Sequence, residues 1–176
     1  YISCHIFKEI LECVQYLHEL NPPVIHRDLK PDNILVAKAV RNGRFFKICD
    51  FGLATVHQHS SDKGDLRYQA PEVGQGVVYN HKIDVYSLAI IAEKDIFGIH
   101  LEDKLYLLKN SDNEVMNKCV IKLTQVLHSM SYYNWDYPHI SGPHWTDRPE
   151  CSQVLSEYNL WSIHENCLKT DPTFEF

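Results

Sequence analysis

No run of basic residues occurs in this chain of 176 residues, and its formal net charge is −6. A nucleic-acid groove or an anionic membrane surface requires clustered Lys and Arg, so neither is expected as the main partner, and any positive patch must be local. No stretch approaches the roughly 18 consecutive apolar residues that a membrane-spanning helix needs. Tyr1 opens directly into an amphipathic pattern, with no basic leader and no short apolar core behind one, so a cytoplasmic setting is expected. The six cysteines include no Cys-x-x-Cys pair, which excludes a zinc knuckle or a redox pair and leaves reduced, mostly buried thiols. His57 and His59 lack a third ligand at suitable spacing and read as a solvated loop.

What the chain does have is the stretch Val24 to Leu35, which reads Val-Ile-His-Arg-Asp-Leu-Lys-Pro-Asp-Asn-Ile-Leu. Asp28 and Asn33 are oxygen donors, and Pro31 between them forbids a continuous helix, so both sit on a loop. A carboxylate and an amide on one stiff loop can do two different jobs. One accepts a hydroxyl proton while the other holds a hard cation such as Mg²⁺. Lys30 adds a cation where a phosphoryl group would need one.

Around this stretch the periodicity is clear. From Ile2 to Leu20 the residues Ile2, Ile6, Phe7, Ile10, Leu11, Val14, Leu17 and Leu20 recur at three- and four-residue steps, an amphipathic helix that Asn21-Pro22-Pro23 ends. Ile34-Leu35-Val36 and Phe45-Phe46-Lys47-Ile48 flank Asn42-Gly43, a strong hairpin signal because both central turn positions favour a positive φ. Such a hairpin would carry Asp50 to Asp28 and Asn33. Asp50, with Gly52 allowing a sharp turn, suits a ligand of Mg²⁺. Asp84 to Ala92 lies in a helix, Lys82 to Phe97, that is apolar nearly all round and therefore central. A further helical stripe runs from Glu114 to Met130, and Ser131 to Thr146 is rich in aromatics that read either as packing against the domain or as a protein-docking surface.

The first of these segments matches the pattern H-R-D-L-x-x-x-N, and Asp50-Phe51-Gly52 and Ala70-Pro71-Glu72 follow it in order. The sequence thus resembles the carboxyl-terminal lobe of a eukaryotic protein kinase over residues 1–158, with residues 159–176 as a tail. The fold this implies is mainly α with small β-hairpins. A glycine-rich phosphate loop and a Val-Ala-Ile-Lys strand are not found, so the amino-terminal lobe is expected as a missing partner from the same chain, and these 176 residues alone are expected to be inactive.

The function implied is that of a serine/threonine kinase moving the γ-phosphoryl group of ATP to a protein substrate with Mg²⁺. In it Asp28 would deprotonate the acceptor, Lys30 would neutralise the phosphoryl group, and Asn33 and Asp50 would hold metal. Leu35 would floor the adenine site. The serine/threonine preference rests on Lys30-Pro31-Asp32. His26, Arg27, Phe51 and Gly52 would shape the site, Asp84 would anchor the loop from below, and Arg148 would pair with Glu72 in a buried fork. The segment between Gly52 and Ala70 offers Ser60 and Ser61 either as phosphosites read by Arg27 or as plain surface serines.

Asp65 departs from the family, which usually has threonine there. An extra carboxylate so close would disfavour ionisation of both Asp65 and Asp28, or else capture Lys30. That departure, with the stretch from Gly98 to Leu108 where the match to the family fades, keeps a second reading open, a kinase-like scaffold with little catalysis.

Overall fold

The computed structural model describes residues 1–56, 64–98, 114–132 and 144–164. Helix α1 (Ile2–His18) buries Cys4, Phe7, Ile10, Leu11, Val14 and His18 along one face. Ile2 was expected on that face but is 71 % exposed, and Leu20 lies beyond the helix end. In the first turn it is Cys4, 1 % exposed, that faces the core in place of Ile2.

Strands β1 (Ile34–Arg41) and β2 (Arg44–Ile48) form an antiparallel hairpin. Its turn is Asn42-Gly43, with φ of 54° and 72°, the mirror-type geometry that a right-twisted two-residue hairpin prefers. Glu9 of α1 accepts a hydrogen bond from the Phe46 amide at 2.7 Å, fastening the hairpin to the helix.

Helix α2 (Lys82–Ile91) buries eight of its ten residues and runs on into a wider turn, Ala92–Ile96. Helix α3 (Glu114–Met130) buries Cys119, Leu123, Val126, Leu127 and Met130. The last segment is two short helices, α4 (Cys151–Ser156) and α5 (Tyr158–Trp161), rather than one. Phe7, Leu11, Val85, Leu88, Leu127, Met130 and Trp161 share one core. Trp161 is fully buried and donates from Nε1 to the Val154 carbonyl at 2.9 Å, so the packed core extends past residue 158. Most of the 159–176 segment lies outside the described residues, as do Ser60, Ser61, His57 and His59.

The fold is therefore mainly helical with one small sheet. A second, smaller cluster of Ile25, Ala70, Val73, Tyr79 and Ile83 backs the loop around Asp28. The five described cysteines are free thiols. Among the described residues no helix is long and apolar enough to cross a membrane.

Candidate active site

Asp84, fully buried in the first turn of α2, holds the Asp28 loop from below. Its carboxylate accepts from the backbone amides of His26 at 2.8 Å and Arg27 at 2.9 Å, and it meets His18 Nε2 at 3.0 Å. A carboxylate with three donors is fully satisfied without solvent. His18 was not singled out from the sequence; its position in the last turn of α1 gave no signal of a contact 66 residues away.

The flank of the loop is held by backbone pairing. Ile25 and Thr55 exchange hydrogen bonds of 2.7 and 2.9 Å, the His26 ring meets the Cys49 carbonyl at 3.0 Å, and the Cys49 amide donates to Asn33 at 2.9 Å. Register then does the rest. Ile34 faces Ile48 across the hairpin, so Asn33 and Cys49 sit side by side and Asp50 follows immediately.

The Asp28 carboxylate collects its donors from residues that follow it in the chain, two within the loop and one 37 positions on. Lys30 Nζ lies 2.9 Å from Oδ2, Asn33 Nδ2 lies 3.2 Å from the same oxygen, and the Asp65 amide donates to Oδ1 at 3.0 Å. Asn33 Nδ2 also donates to the Asp28 carbonyl at 2.7 Å. The hydrogen bond to Asp28 raises the pKa of the Lys30 ammonium above its ordinary value. With its nitrogen committed to Asp28, Asn33 has its Oδ1 left for a ligand.

Asp50 is exposed; its Oδ1 accepts from the Gly52 amide at 3.3 Å, and its other oxygen has no donor among the described residues. Two hard oxygen donors on adjacent segments form a donor set that fits Mg²⁺ rather than a softer metal. The expected turn geometry needs one correction. The left-handed residue is Asp50 itself, with φ 60°, and not Gly52. Gly52 matters for space, because a Cβ there would lie 3.2 Å from Asp50 Oδ1. Arg27 is likewise left-handed at φ 69°. Each such non-glycine residue costs about 1–2 kcal/mol, which the surrounding hydrogen bonds must offset.

Asp65 is the clearest correction. It does not capture Lys30, which stays on Asp28, and its own carboxylate is clamped by a neighbour. Arg67 donates from its backbone amide and Nε to Oδ1, both at 3.0 Å, and from a terminal nitrogen to Oδ2 at 2.7 Å. The Arg67 side chain and amide hold the Asp65 carboxyl down at about 2. What reaches Asp28 from this residue is its backbone amide.

That approach depends on Gly64. Its φ is 108°, and a Cβ would lie 2.4 Å from the Arg27 carbonyl oxygen, a distance that no side chain can occupy.

Farther out, Glu72 and Arg148 form a forked pair with both side chains 1 % exposed or less. Arg148 reaches Glu72 Oε1 at 2.5 Å and Oε2 at 2.9 Å, donates to the carbonyls of Tyr132 and Lys82 at 3.1 and 3.2 Å, and lies 4.9 Å from the centre of the Tyr86 ring. Phe51 packs edge-on against His26 at 5.0 Å but remains 47 % exposed, and Leu35 on β1 is 50 % exposed. Two clefts, of about 670 and 490 Å³, flank the hairpin; Phe51 lines the smaller, and neither is lined by Asp28, Asn33 or Asp50.

The profile of the protein kinase domain matches residues 2–174. The chain belongs to the protein kinase family. It is 31 % identical over 172 residues to the dual specificity protein kinase shkC of Dictyostelium discoideum, covering 89 % of this chain and 31 % of that one. It is 43 % identical over 97 residues to human mitogen-activated protein kinase kinase kinase 7, covering 52 % of this chain and 16 % of that one. A probable serine/threonine-protein kinase of Dictyostelium discoideum, drkD, is 48 % identical over 79 residues, 43 % of this chain and 6 % of that one. The chain thus spans about a third or less of the length of these relatives.

Proposed function

We propose that this chain is the catalytic-loop lobe of a protein serine/threonine kinase, and that the longer protein it belongs to transfers the γ-phosphoryl group of ATP to a protein hydroxyl. The observation that carries this reading is the Asp28 carboxylate, aimed by donors from Lys30, Asn33 and the Asp65 amide. In the reaction the acceptor oxygen forms a bond to the γ-phosphorus as the bond to the β-bridging oxygen breaks. The hydroxyl proton passes to Asp28, and ADP leaves.

Lys30, two residues along, offers positive charge to the migrating group. Asn33 and Asp50 are the residues to hold Mg²⁺, which would supply charge neutralisation at the phosphate oxygens. Leu35, exposed on the hairpin, would meet the adenine. Phosphate on Ser60 or Ser61 would be read by Arg27, and the cytoplasm is the proposed compartment. The preference for serine and threonine rests on Lys30-Pro31-Asp32, whose last two residues enter the short 3₁₀ turn Pro31–Asn33.

The scaffold alternative drew on Asp65 and on the divergent region around Gly98; the Asp65 carboxylate is occupied by Arg67, and residues 99–113 lie outside the described residues. The test is phosphate transfer by the full-length protein beside an Asp28→Asn variant, with seryl and tyrosyl peptides as acceptors. Removing the proton acceptor should cost about 10²–10⁴-fold. Equal rates from the two proteins would refute the role of Asp28, and a preference for tyrosyl peptide would refute the acceptor class.

A further inference from the structure

Three helix ends meet beside Asp84, beneath the Asp28 loop. His18 is the last residue of α1, His81 caps the start of α2, and Glu150 caps the start of α4. One ring nitrogen from each histidine and one carboxylate oxygen of Glu150 all lie within 4.8 Å of one another, the one such group among the described residues. The two imidazole centres are 4.7 Å apart, and His81 Nε2 lies 2.7 Å from Glu150 Oε2.

His18 is the telling member. Its side chain is 5 % exposed, and its Nε2 faces the Asp84 carboxylate at 3.0 Å, which fixes the proton on that nitrogen. The other nitrogen, Nδ1, is then a lone pair, and it is buried with no hydrogen-bond partner. A buried acceptor without a donor calls for an explanation. An imidazole whose far nitrogen donates to a carboxylate, leaving a bare lone pair on the near one, is the arrangement that metal-ligating histidines adopt.

We propose that His18, His81 and Glu150 form a binding site for a zinc-type divalent transition ion. Two imidazoles and a carboxylate suit zinc, with water in the fourth position, and do not suit Mg²⁺ or Ca²⁺. Tetrahedral coordination at about 2.0–2.2 Å brings ligand atoms to roughly 3.3 Å from one another. His18 is fixed by packing, whereas His81 and Glu150 are 22 and 38 % exposed and have room to close around an ion. Lys82 does not block the position. Its ammonium is 3.3 Å from Glu150 Oε1 and is held by the carbonyls of Thr146 and Arg148 at 2.7 and 2.6 Å, while Oε2 is turned to His81. On binding, the ion takes the place of the hydrogen bond between His81 Nε2 and Glu150 Oε2.

The consequence is regulatory. The ion would staple α1, α2 and α4 at their ends, one ligand away from the Asp84 carboxylate that positions the His26 and Arg27 amides.

The test begins with the full-length protein stripped by a chelator and titrated calorimetrically with zinc sulfate alone, beside His81→Ala, Glu150→Gln and the double variant. One ion per chain should bind, and each substitution should weaken it about tenfold or more. Undiminished binding by a correctly folded double variant overturns the site. Cobalt substitution of the unaltered protein gives an independent answer: a spectrum of nitrogen and oxygen ligation supports the site, and a sulfur-to-cobalt charge-transfer band, which would place the ion on cysteines, overturns it. Nitrogen NMR of the same protein should show the His18 Nδ1 resonance shifting on zinc addition; an unmoved resonance refutes ligation by His18.

Discussion

Replacing Arg148 by Met removes a charge from the most enclosed ion pair among the described residues and leaves Glu72, at 1 % exposure, without a counter-ion. Stranding a buried charge in this way costs about 3–5 kcal/mol. The loss is not confined to the pair, because the guanidinium also serves the carbonyls of Tyr132 and Lys82. In a domain of this size each kcal/mol lowers the melting temperature by about 2–4 °C, so the variant should melt roughly 6–20 °C lower. Glu72→Leu should fall near the lower end of that range, since Arg148 keeps both carbonyls and the Tyr86 face. The double variant Glu72→Leu, Arg148→Met should recover most of the loss. It buries no lone charge, and what remains is about 1–3 kcal/mol for carbonyls left without their donor. Calorimetric or circular-dichroism melting of all four proteins measures the cycle. A single variant melting within 2 °C or so of the parent, or a double variant as unstable as the sum of the singles, would refute the reasoning.

Three further outcomes follow from the site. Gly64→Ala should cut phosphate transfer by the full-length protein roughly a hundredfold, since a Cβ at 2.4 Å from the Arg27 carbonyl must displace the loop that donates to Asp28; unchanged transfer would count against the close approach. Asp84→Asn should speed hydrogen exchange at the amides of residues 26 and 27, because they use different carboxylate oxygens and the NH2 group that replaces one of these cannot accept, with a stability loss of about 1–3 kcal/mol. The Asp65 carboxyl should titrate at about 2 by NMR and return toward the ordinary carboxylate range in Arg67→Ala. Because its folded value is depressed, the stability it lends is present above the unfolded carboxylate range and fades as pH falls toward 2. A carboxyl that titrates in the ordinary range in the parent would refute the clamp.

How far the sequence reads depends on the range of each signal. Asn42-Gly43 and the tandem prolines act on their immediate neighbours; the hairpin turn fell on Asn42-Gly43, and α1 ended at His18, two residues short of the expected Leu20. The all-apolar stretch after Asp84 announced a central helix, and burial of Val85, Leu88 and Ile91 bears that out. Motif spacing brought Asp28, Asn33 and Asp50 to one place because a two-stranded ladder of fixed register carries the chain between them. Contacts set by tertiary approach stayed hidden. Nothing local in Asp65-Leu66-Arg67 says that the arginine folds back two residues rather than leaving the carboxylate for Lys30. The His18 contact to Asp84 spans two helices, and the role of Gly64 appears only once the Arg27 carbonyl is in place. The aromatic stretch near Ser131 falls mostly outside the described residues.

The anchoring carboxylate lies 57 residues downstream of Arg27, the second of the two amides it grips. Ribosomes add about 5–20 residues per second, so during synthesis the loop waits about 3–11 s for its latch. Arg148 arrives later still, 64 positions beyond Asp84. In a nascent chain the hydrogen bonds that hold the His26 and Arg27 amides therefore form only when α2 has emerged and docked. The hold on the loop that carries residue 28 is in this sense decided at residue 84, so a chain cut short before α2 would carry the loop without its latch.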